Sequence, residues 1–148
     1  MAPEVELREI NMENFRECIR LSVGDEQRNF VASNTYSLAE AKADGVSVPL
    51  AVYSGDVLVG FTMYCFDDKS KIGYIDRLMI DKKYQRQGYG RAAMVEVINR
   101  LRNTPGCDRL RISYCPGNAI AEALYNSLGF RPTGEIDGGE IVAVYDLS

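Results

Sequence analysis

The chain has 148 residues, enough for one domain, and it contains no histidine. The lack of histidine excludes Ser-His-Asp and Cys-His catalysis and imidazole metal sites, so acid–base work falls to carboxylates, tyrosine, lysine, cysteine, backbone groups or water. The formal net charge of −4 gives no general attraction for nucleic acid. Residues 1–81 hold 14 acidic and 8 basic side chains, and residues 82–148 hold 7 and 9. The first part would suit a cationic partner and the second an anionic one, unless both are ordinary solvated faces.

The cysteine pattern and the hydropathy indicate the compartment. Cys18, Cys65, Cys107 and Cys115 form no CxxC pair, so neither a zinc ribbon nor a thioredoxin-type site is expected. No apolar run approaches the roughly 18 residues of a membrane span, and no signal-peptide pattern follows Met1. We therefore expect a reduced, cytoplasmic protein with no metal, no membrane contact and no nucleic-acid partner.

Hydrophobic periodicity predicts alternating strands and helices over the first half of the chain. Asn11 and Ser37 are candidate helix N-caps, Gly45 is a candidate helix stop, and residues 54–56 are typical of a hairpin turn. In chain order we predict a strand at 4–10, a helix at 12–21, a helical stretch at 25–32, a helix at 38–43, and strands at 48–54, 57–66 and 72–80.

From Gly88 onward the apolar period becomes that of a helix. Pro116-Gly117-Asn118 ends a strand and begins a second helix, and Gly129 suits the residue just beyond that helix. We predict a helix from 88 to about 103, a strand at 110–114, a helix at 119–128, and strands at 130–136 and 140–147. This order of elements predicts an α/β domain with a mixed sheet.

The segment Gln85-Arg86-Gln87-Gly88-Tyr89-Gly90 lies between a predicted strand and a predicted helix. Its glycines let the backbone approach a ligand closely, and the helix start supplies free N–H groups and positive dipole. Arg86 and Arg91 add positive charge that suits phosphates. The alternative is a tight strand-to-helix connection that binds nothing.

A second interpretation of the same loop is the dinucleotide fingerprint G-x-G-x-x-A at 88–93. That fingerprint follows its strand almost immediately, whereas seven mostly polar residues separate Ile80 from Gly88. Asp108 lies 20 residues after Gly88 but stands before a strand rather than at the end of one. The context therefore disfavours a dinucleotide site.

Two motifs carry a resemblance to a known family. Gln85-x-x-Gly88-x-Gly90 resembles the pyrophosphate loop Q/R-x-x-G-x-G/A, and residues 118–130 resemble N-x-x-A-x-x-L-Y-x-x-x-G-F, both of the GCN5-related N-acetyltransferase (GNAT) superfamily. The two follow in the family's order, and the resemblance covers essentially the whole chain. It is closest to the bacterial spermine/spermidine (diamine) branch, through the segments at 27–31, 37–41, 59–64, 76–85 and 134–140.

The resemblance implies a fold and an activity. The expected fold is one GNAT domain over 1–148, with a mixed, mostly antiparallel sheet of six or seven strands and about four flanking helices. A V-shaped splay is expected between two parallel strands, here about 72–80 and 109–115. The expected activity is direct transfer of acetyl from acetyl-coenzyme A to a primary amine, by a homodimer and without a metal.

The family also implies where the cofactor binds. Backbone N–H groups of 87–91 would hold the pyrophosphate, strand residues near 78–80 would pair with the pantetheine arm and face the thioester oxygen, and an asparagine side chain would contact that arm. The cofactor-binding residues so expected are Leu78, Met79, Ile80, Gln85, Arg86, Gln87, Gly88, Tyr89, Gly90, Arg91, Asn118 and Ala121. Arg86 departs from the branch, which more often has glycine there.

Two residues are the expected catalytic groups. Tyr125 matches the family's general acid, although it could instead be a packing tyrosine of an amphipathic helix. Asp76 is the expected base, although it could be a solvated residue paired with Arg77 or Lys71. Cys115 lacks a visible activating base, so we treat it as a small packing residue rather than a nucleophile.

A polyamine has several ammonium groups and needs several carboxylates. The expected substrate-binding residues are Glu26, Asp76 and Glu135, with Glu40 or Asp44 as further candidates, unless these are ordinary surface acids. Two alternatives stay open. One is an acetyltransferase for a protein N-terminus, a lysine side chain or an aminoglycoside, and the other is a coenzyme A-binding regulatory protein without turnover.

Overall fold

Seven strands form one mixed sheet in a computed structural model that describes residues 3–27 and 32–147, except for the side chain of Glu26. The strand order is β1-β2-β3-β4-β5-β7-β6. The elements are β1 (Glu6–Glu9), α1 (Phe15–Arg20), α2 (Asn34–Asp44), β2 (Val48–Ser54), β3 (Val57–Asp67), β4 (Ile72–Ile80), α3 (Tyr89–Arg102), β5 (Arg109–Tyr114), α4 (Ala119–Leu128), β6 (Arg131–Asp137) and β7 (Glu140–Asp146), with short 3-10 turns at Asp25–Gln27 and Lys82–Tyr84. The predicted α/β class and sheet are confirmed.

The sheet opens between its two parallel strands, as predicted. Strand β4 pairs with β5 from Ile72 to Ile75, opposite Arg109 to Ile112, and the pairing ends there. Beyond that point β4 stays bonded to β3 as far as the pair Gly60–Ile80. The two parallel strands therefore separate into a splay, and one edge of residues 76–80 has no strand partner among the residues that the structure describes.

A register shift marks the point of separation. Met63 pairs with Arg77 but Tyr64 pairs with Ile75, so Asp76 is the extra residue of a bulge in β4. Bulges bend a strand and re-aim the side chain at the bulge. The bulge thus explains both why β4 leaves β5 here and why Asp76 lies at the mouth of the splay.

The outer half of β4 is held closely against β3. The Asp81 N–H donates to the Val59 carbonyl at 2.8 Å, so by antiparallel alternation Met79 also turns its N–H towards β3. Leu78 and Ile80 then turn their backbone groups into the splay. Gly60 allows this close approach, because a Cβ there would lie 2.5 Å from the Met79 carbonyl oxygen.

Both faces of the sheet are covered. Along β2, Leu50 and Val52 belong to the cluster packed against α3, while Ala51 belongs to a second cluster that includes Cys18 of α1 and Ala41 of α2. Alternation along a strand sends neighbouring side chains to opposite faces, so the sheet has a core on each side. Among the described residues, no helix is long and apolar enough to cross a membrane.

The start of α2 was predicted incorrectly. The expected helix began at 38 with Ser37 as its cap, but α2 begins four residues earlier and Ser33 is the cap, its Oγ accepting from the Tyr36 N–H at 3.1 Å. Ser37 is fully buried inside the helix. Two serines four residues apart offer equally good cap chemistry, so burial decides between them.

Two further predictions in this region need correction. Asn11 does not cap α1: its Oδ1 accepts from the Glu13 and Asn14 N–H groups in a turn, and the helix begins only at Phe15. The helical stretch at 25–32 is a 3-10 turn over Asp25–Gln27, and residues 28–31 lie outside the described part.

Candidate active site

The glycine loop turns the chain from β4 into α3. Gly88 is the N-cap of α3 with φ of +89°, a left-handed conformation that favours glycine. The first N–H groups of α3 therefore point out of the helix start as free donors. Arg86 also has a positive φ, +65°, which is unfavourable for a residue with a side chain.

Side chains on either side of the loop fix its position. Gln85 Nε2 donates to the Ile80 carbonyl and to Gln27 Oε1, both at 2.9 Å. Asp81 accepts from the Ser22 N–H at 2.9 Å and from the Lys83 N–H at 3.2 Å. The predicted cofactor residue Gln85 thus has a clear structural task, since it ties the loop to the end of β4.

A cavity of about 310 Å³, here called the loop cavity, lies between this loop, β4 and α4. The predicted cofactor residues that line it are Leu78, Met79, Ile80, Gln85, Arg86, Gly88, Tyr89, Gly90, Arg91, Asn118 and Ala121. Gln87 is exposed and does not line it. The structure therefore brings eleven of the twelve predicted residues together.

Gly90, Arg91 and Asn118 each contribute to the wall of the loop cavity. A Cβ on Gly90 would already contact Ile80 and Leu124, both at 3.8 Å, so a larger side chain would enter the cavity. Arg91 donates to Ser127 Oγ of α4 at 2.6 Å, which holds its guanidinium beside the cavity. Asn118 caps α4, its Oδ1 accepting from the Ala121 N–H at 3.2 Å, and this leaves its amide donors for other partners.

A second cavity of about 460 Å³, here called the splay cavity, opens between β4 and β5. It is lined by Ala32, Asp76, Arg77, Leu78, Ser113, Tyr114, Cys115, Asn118, Ala121, Tyr125 and Glu140. Leu78, Asn118, Ala121 and Tyr125 line both cavities. The two cavities therefore meet beside Tyr125.

Tyr125 sits in an aromatic cluster at this junction. Its ring centroid lies 5.8 Å from that of Tyr114 and 6.1 Å from that of Phe130. Burial raises the pKa of Tyr125 to about 12, and the nearby charge of Glu140 adds to the effect. The phenol is therefore protonated at neutral pH and can donate a proton.

Asp76 is a carboxylate at the mouth of the splay cavity. Desolvation raises the pKa of Asp76, while the charge of Arg77 and a hydrogen bond from the Cys65 thiol, at 3.7 Å, oppose the rise. The guanidinium of Arg77 pairs instead with Glu40 of α2 at 3.0 Å. Asp76 therefore does not form a side-chain ion pair with Arg77, which was the alternative considered for it from the sequence.

Among the described side chains, the other predicted amine-binding acids Glu40, Asp44 and Glu135 do not line the splay cavity. Glu135 lies on β6, the last strand of the sheet, and is not part of the cavity lining. Its carboxylate forms an ion pair with Arg111 of β5 at 3.4 Å. Asp44 accepts hydrogen bonds from Ser47 and from the Val46 N–H just after α2. The side chain of Glu26 lies outside the described part of the chain.

One lining carboxylate was missed by the sequence interpretation. Glu140 begins β7 and reaches the cavity because β7 pairs with β5 alongside Ser113 and Tyr114. No local signal in the sequence distinguishes Glu140 from Glu135, because only the pairing of β7 with β5 brings Glu140 to the cavity. In the described ranges, 3–27 and 32–147, no group of three or more acidic or cysteine side chains could hold a metal ion.

The sequence matches a family model over most of this arrangement, and the match ends just before β6. Residues 5–130 match the Acetyltransferase (GNAT) family. The spermine/spermidine N(1)-acetyltransferase of Bacillus subtilis (strain 168) is 31% identical over 150 residues, which covers 97% of this chain and 99% of that protein. The chain therefore belongs to the GNAT family, and it is an N-acetyltransferase.

Solved structures share the fold. The PaiA N-acetyltransferase of Thermoplasma acidophilum, in complex with coenzyme A, superposes with a TM-score of 0.72 at 15% identity, covering 97% of this chain and 99% of that one. The spermidine N-acetyltransferase of Vibrio cholerae, in complex with coenzyme A and spermine, superposes with a TM-score of 0.75 at 14% identity, covering 95% and 93%.

The left-handed backbone of Arg86 predicts the effect of a glycine there. Arg86→Gly should raise the free energy of unfolding by up to about 1 kcal/mol, because glycine adopts positive φ without steric cost. Gln87, the next residue, has no positive φ, so Gln87→Gly is the matched control and should lower the free energy of unfolding. Urea unfolding of both variants tests this, and a loss of stability in Arg86→Gly would contradict the strain.

Proposed function

We propose that this enzyme transfers acetyl from acetyl-coenzyme A directly to a primary amine, and that the amine is a polyamine such as spermidine or spermine. The observation that carries the proposal is the meeting of two chemically different cavities beside Tyr125. One contains the glycine loop and two arginines, and the other contains two carboxylates and Arg77, whose charge is paired with Glu40. The name of the Bacillus subtilis relative and the spermine bound to the Vibrio cholerae neighbour support the choice of amine.

The loop cavity fits coenzyme A. Free N–H groups at the start of α3, with Arg86 and Arg91 beside them, suit a pyrophosphate. The open edge of β4 offers the backbone groups of Leu78 and the N–H of Ile80 to the pantetheine arm, while the Ile80 carbonyl already accepts from Gln85. The cofactor supplies an activated acetyl thioester, and a backbone N–H of this edge would stabilise the oxyanion that forms when the amine attacks.

The chain supplies two proton-transfer groups. Asp76, directly or through a water, would accept the proton that the ammonium group must lose before it attacks. The amine nitrogen then forms a bond to the acetyl carbon, the carbon–sulfur bond breaks, and the nitrogen loses its second proton to solvent to leave the neutral amide. Tyr125 would protonate the departing thiolate, and exchange with solvent would restore both side chains.

A covalent acetyl-cysteine route has no support in the geometry. Cys115 lines the splay cavity, but burial raises the pKa of its thiol and the neighbouring Glu140 raises it further. A thiol that stays protonated is a poor nucleophile. Direct transfer therefore fits the site best, and the homodimer suggested by the family stays a prediction.

The substrate class is tested with a panel of amines at saturating acetyl-coenzyme A. Spermidine and spermine should give the highest kcat/KM, because their several ammonium groups suit the acidic splay cavity. The panel includes peptides with free N-termini, peptides with lysine, and an aminoglycoside. Turnover of a peptide without turnover of polyamines would overturn the amine assignment, and cofactor binding with no turnover of any amine would overturn catalysis.

The role of Tyr125 predicts a loss of rate in Tyr125→Phe. kcat should fall by about 10- to 10⁴-fold, the range of general acid–base effects, with little change in coenzyme A affinity. Tyr145→Phe is the control, since it removes a phenol that lies outside both cavities. Steady-state kinetics and calorimetric titration measure the two quantities, and an unchanged kcat would return Tyr125 to a packing role.

The raised pKa of Asp76 predicts the acidic limb of the pH profile. Asp76 can accept a proton only when ionised, so kcat should fall as the pH drops through its raised pKa. Tyr125, with a pKa of about 12, should cause no loss of rate below about pH 11. In Asp76→Asn the acidic limb should vanish along with most of the rate. Asp67→Asn should keep both the acidic limb and the rate. An unchanged limb in Asp76→Asn would exclude Asp76 as the base.

A further inference from the structure

Glu140 is a carboxylate in the splay cavity that takes no part in the proton transfers of Asp76 and Tyr125. It is half-buried at the start of β7. Ser113 Oγ donates to its Oε1 at 2.8 Å, and the Cys115 thiol lies 3.5 Å from its Oε2. Within residues 3–27 and 32–147, apart from the Glu26 side chain, no lysine or arginine forms an ion pair with it. The Glu140 carboxylate is therefore positioned by two neutral donors, the Ser113 hydroxyl and the Cys115 thiol.

The sheet puts Glu140 across the splay from Asp76. Asp76 is on β4, whereas Glu140 is on β7, which pairs with β5 on the far side of the opening. Both residues line the same cavity, and so does Tyr125. The nearby charge of Glu140 also contributes to the raised pKa of the Tyr125 phenol.

Tyr114 provides a second sign that this cavity takes a polar ligand. The residue is only 4% exposed and lines the cavity, yet its hydroxyl has no hydrogen-bond partner among the described residues. A buried hydroxyl without a partner is costly, so such groups usually bind a water or a ligand. An ammonium group donates three hydrogen bonds, and a hydroxyl oxygen and two carboxylates are suitable acceptors.

We propose that Glu140 is an amine-binding residue whose carboxylate holds the incoming ammonium group from the β7 side while Asp76 faces it from β4. The proposal rests on the proposed function, because it assigns a residue to the amine side of the same site. Two carboxylates keep the ammonium between them, so one can take its proton while the other keeps a negative charge beside the amine. Ser113 fixes the rotamer of Glu140 and leaves further lone pairs of its carboxylate free for the ligand.

The test compares Glu140→Gln with Glu135→Gln in the full-length enzyme. Glutamine keeps an acceptor for Ser113 but loses the charge, so Glu140→Gln should fold normally. We expect KM for spermidine to rise about 10- to 100-fold, the loss that a charge-assisted hydrogen bond represents, while KM for acetyl-coenzyme A stays unchanged. Glu135→Gln removes a carboxylate outside the cavity, and its KM for spermidine should not change. Thermal unfolding of both variants checks that folding is intact.

The outcomes separate the inference from the proposed function. A rise in the KM for spermidine alone, in a variant with an unchanged Tm, supports the amine-binding role. An unchanged KM for spermidine in Glu140→Gln, with normal turnover by the unmodified enzyme, overturns the Glu140 inference and leaves the proposed function intact. Equal rises in both KM values would indicate a merely structural role and would also overturn it. Lack of spermidine turnover by the unmodified enzyme overturns the proposed function, and the inference with it.

Discussion

The separation of β4 from β5 after the pair Ile75–Ile112 is the constraint on which the site depends. A bulge at Asp76 bends β4 at this point, while pairing with β3 continues to Ile80. The freed edge carries backbone groups that need hydrogen-bond partners. A strand that stayed paired with β5 would leave no room for either cavity. One local irregularity in register thus produces the cleft and also puts a carboxylate at its mouth.

The splay also separates two electrostatic environments. The loop cavity combines a helix start with Arg86 and Arg91, which suits a phosphate-rich ligand. The splay cavity contains Asp76 and Glu140, which suit a cation. Tyr125 lies where they meet, and its environment raises its pKa to about 12, so the phenol stays protonated even in alkaline solution. Two ligands of opposite charge can therefore approach one protonated phenol from different sides, and the reaction needs no histidine.

Local sequence features predicted much of this arrangement. The ends of β4 and α4 agree with the predicted ranges 72–80 and 119–128, because apolar periodicity and glycine or proline breaks mark both clearly. The start of α3 at Tyr89 lies one residue from the predicted start at Gly88, which is the N-cap of the helix. The splay itself was expected only from the family resemblance, since periodicity carries no information on where two strands separate.

Residues whose role depends on sheet register were harder to predict. Glu135 and Glu140 lie five residues apart around one turn and look equally suitable in the sequence. Pairing of β7 with β5 brings Glu140 to the cavity, whereas Glu135, on the outermost strand, meets Arg111. The choice between them depends on long-range pairing, which no local pattern encodes. The same limit applies to Gln85, whose partners Ile80 and Gln27 come together only in the fold.

Amide hydrogen exchange along β4, with and without coenzyme A, tests the central claim most directly. In the free protein the Met79 N–H should exchange slowly, because it is directed towards β3, while the Leu78 N–H should exchange fast from the open edge. Saturating coenzyme A should slow exchange at Leu78 and at the first amides of α3, and leave Met79 unchanged. Slow exchange at Leu78 in the free protein, or no change there on binding, would contradict an open splay that receives the cofactor.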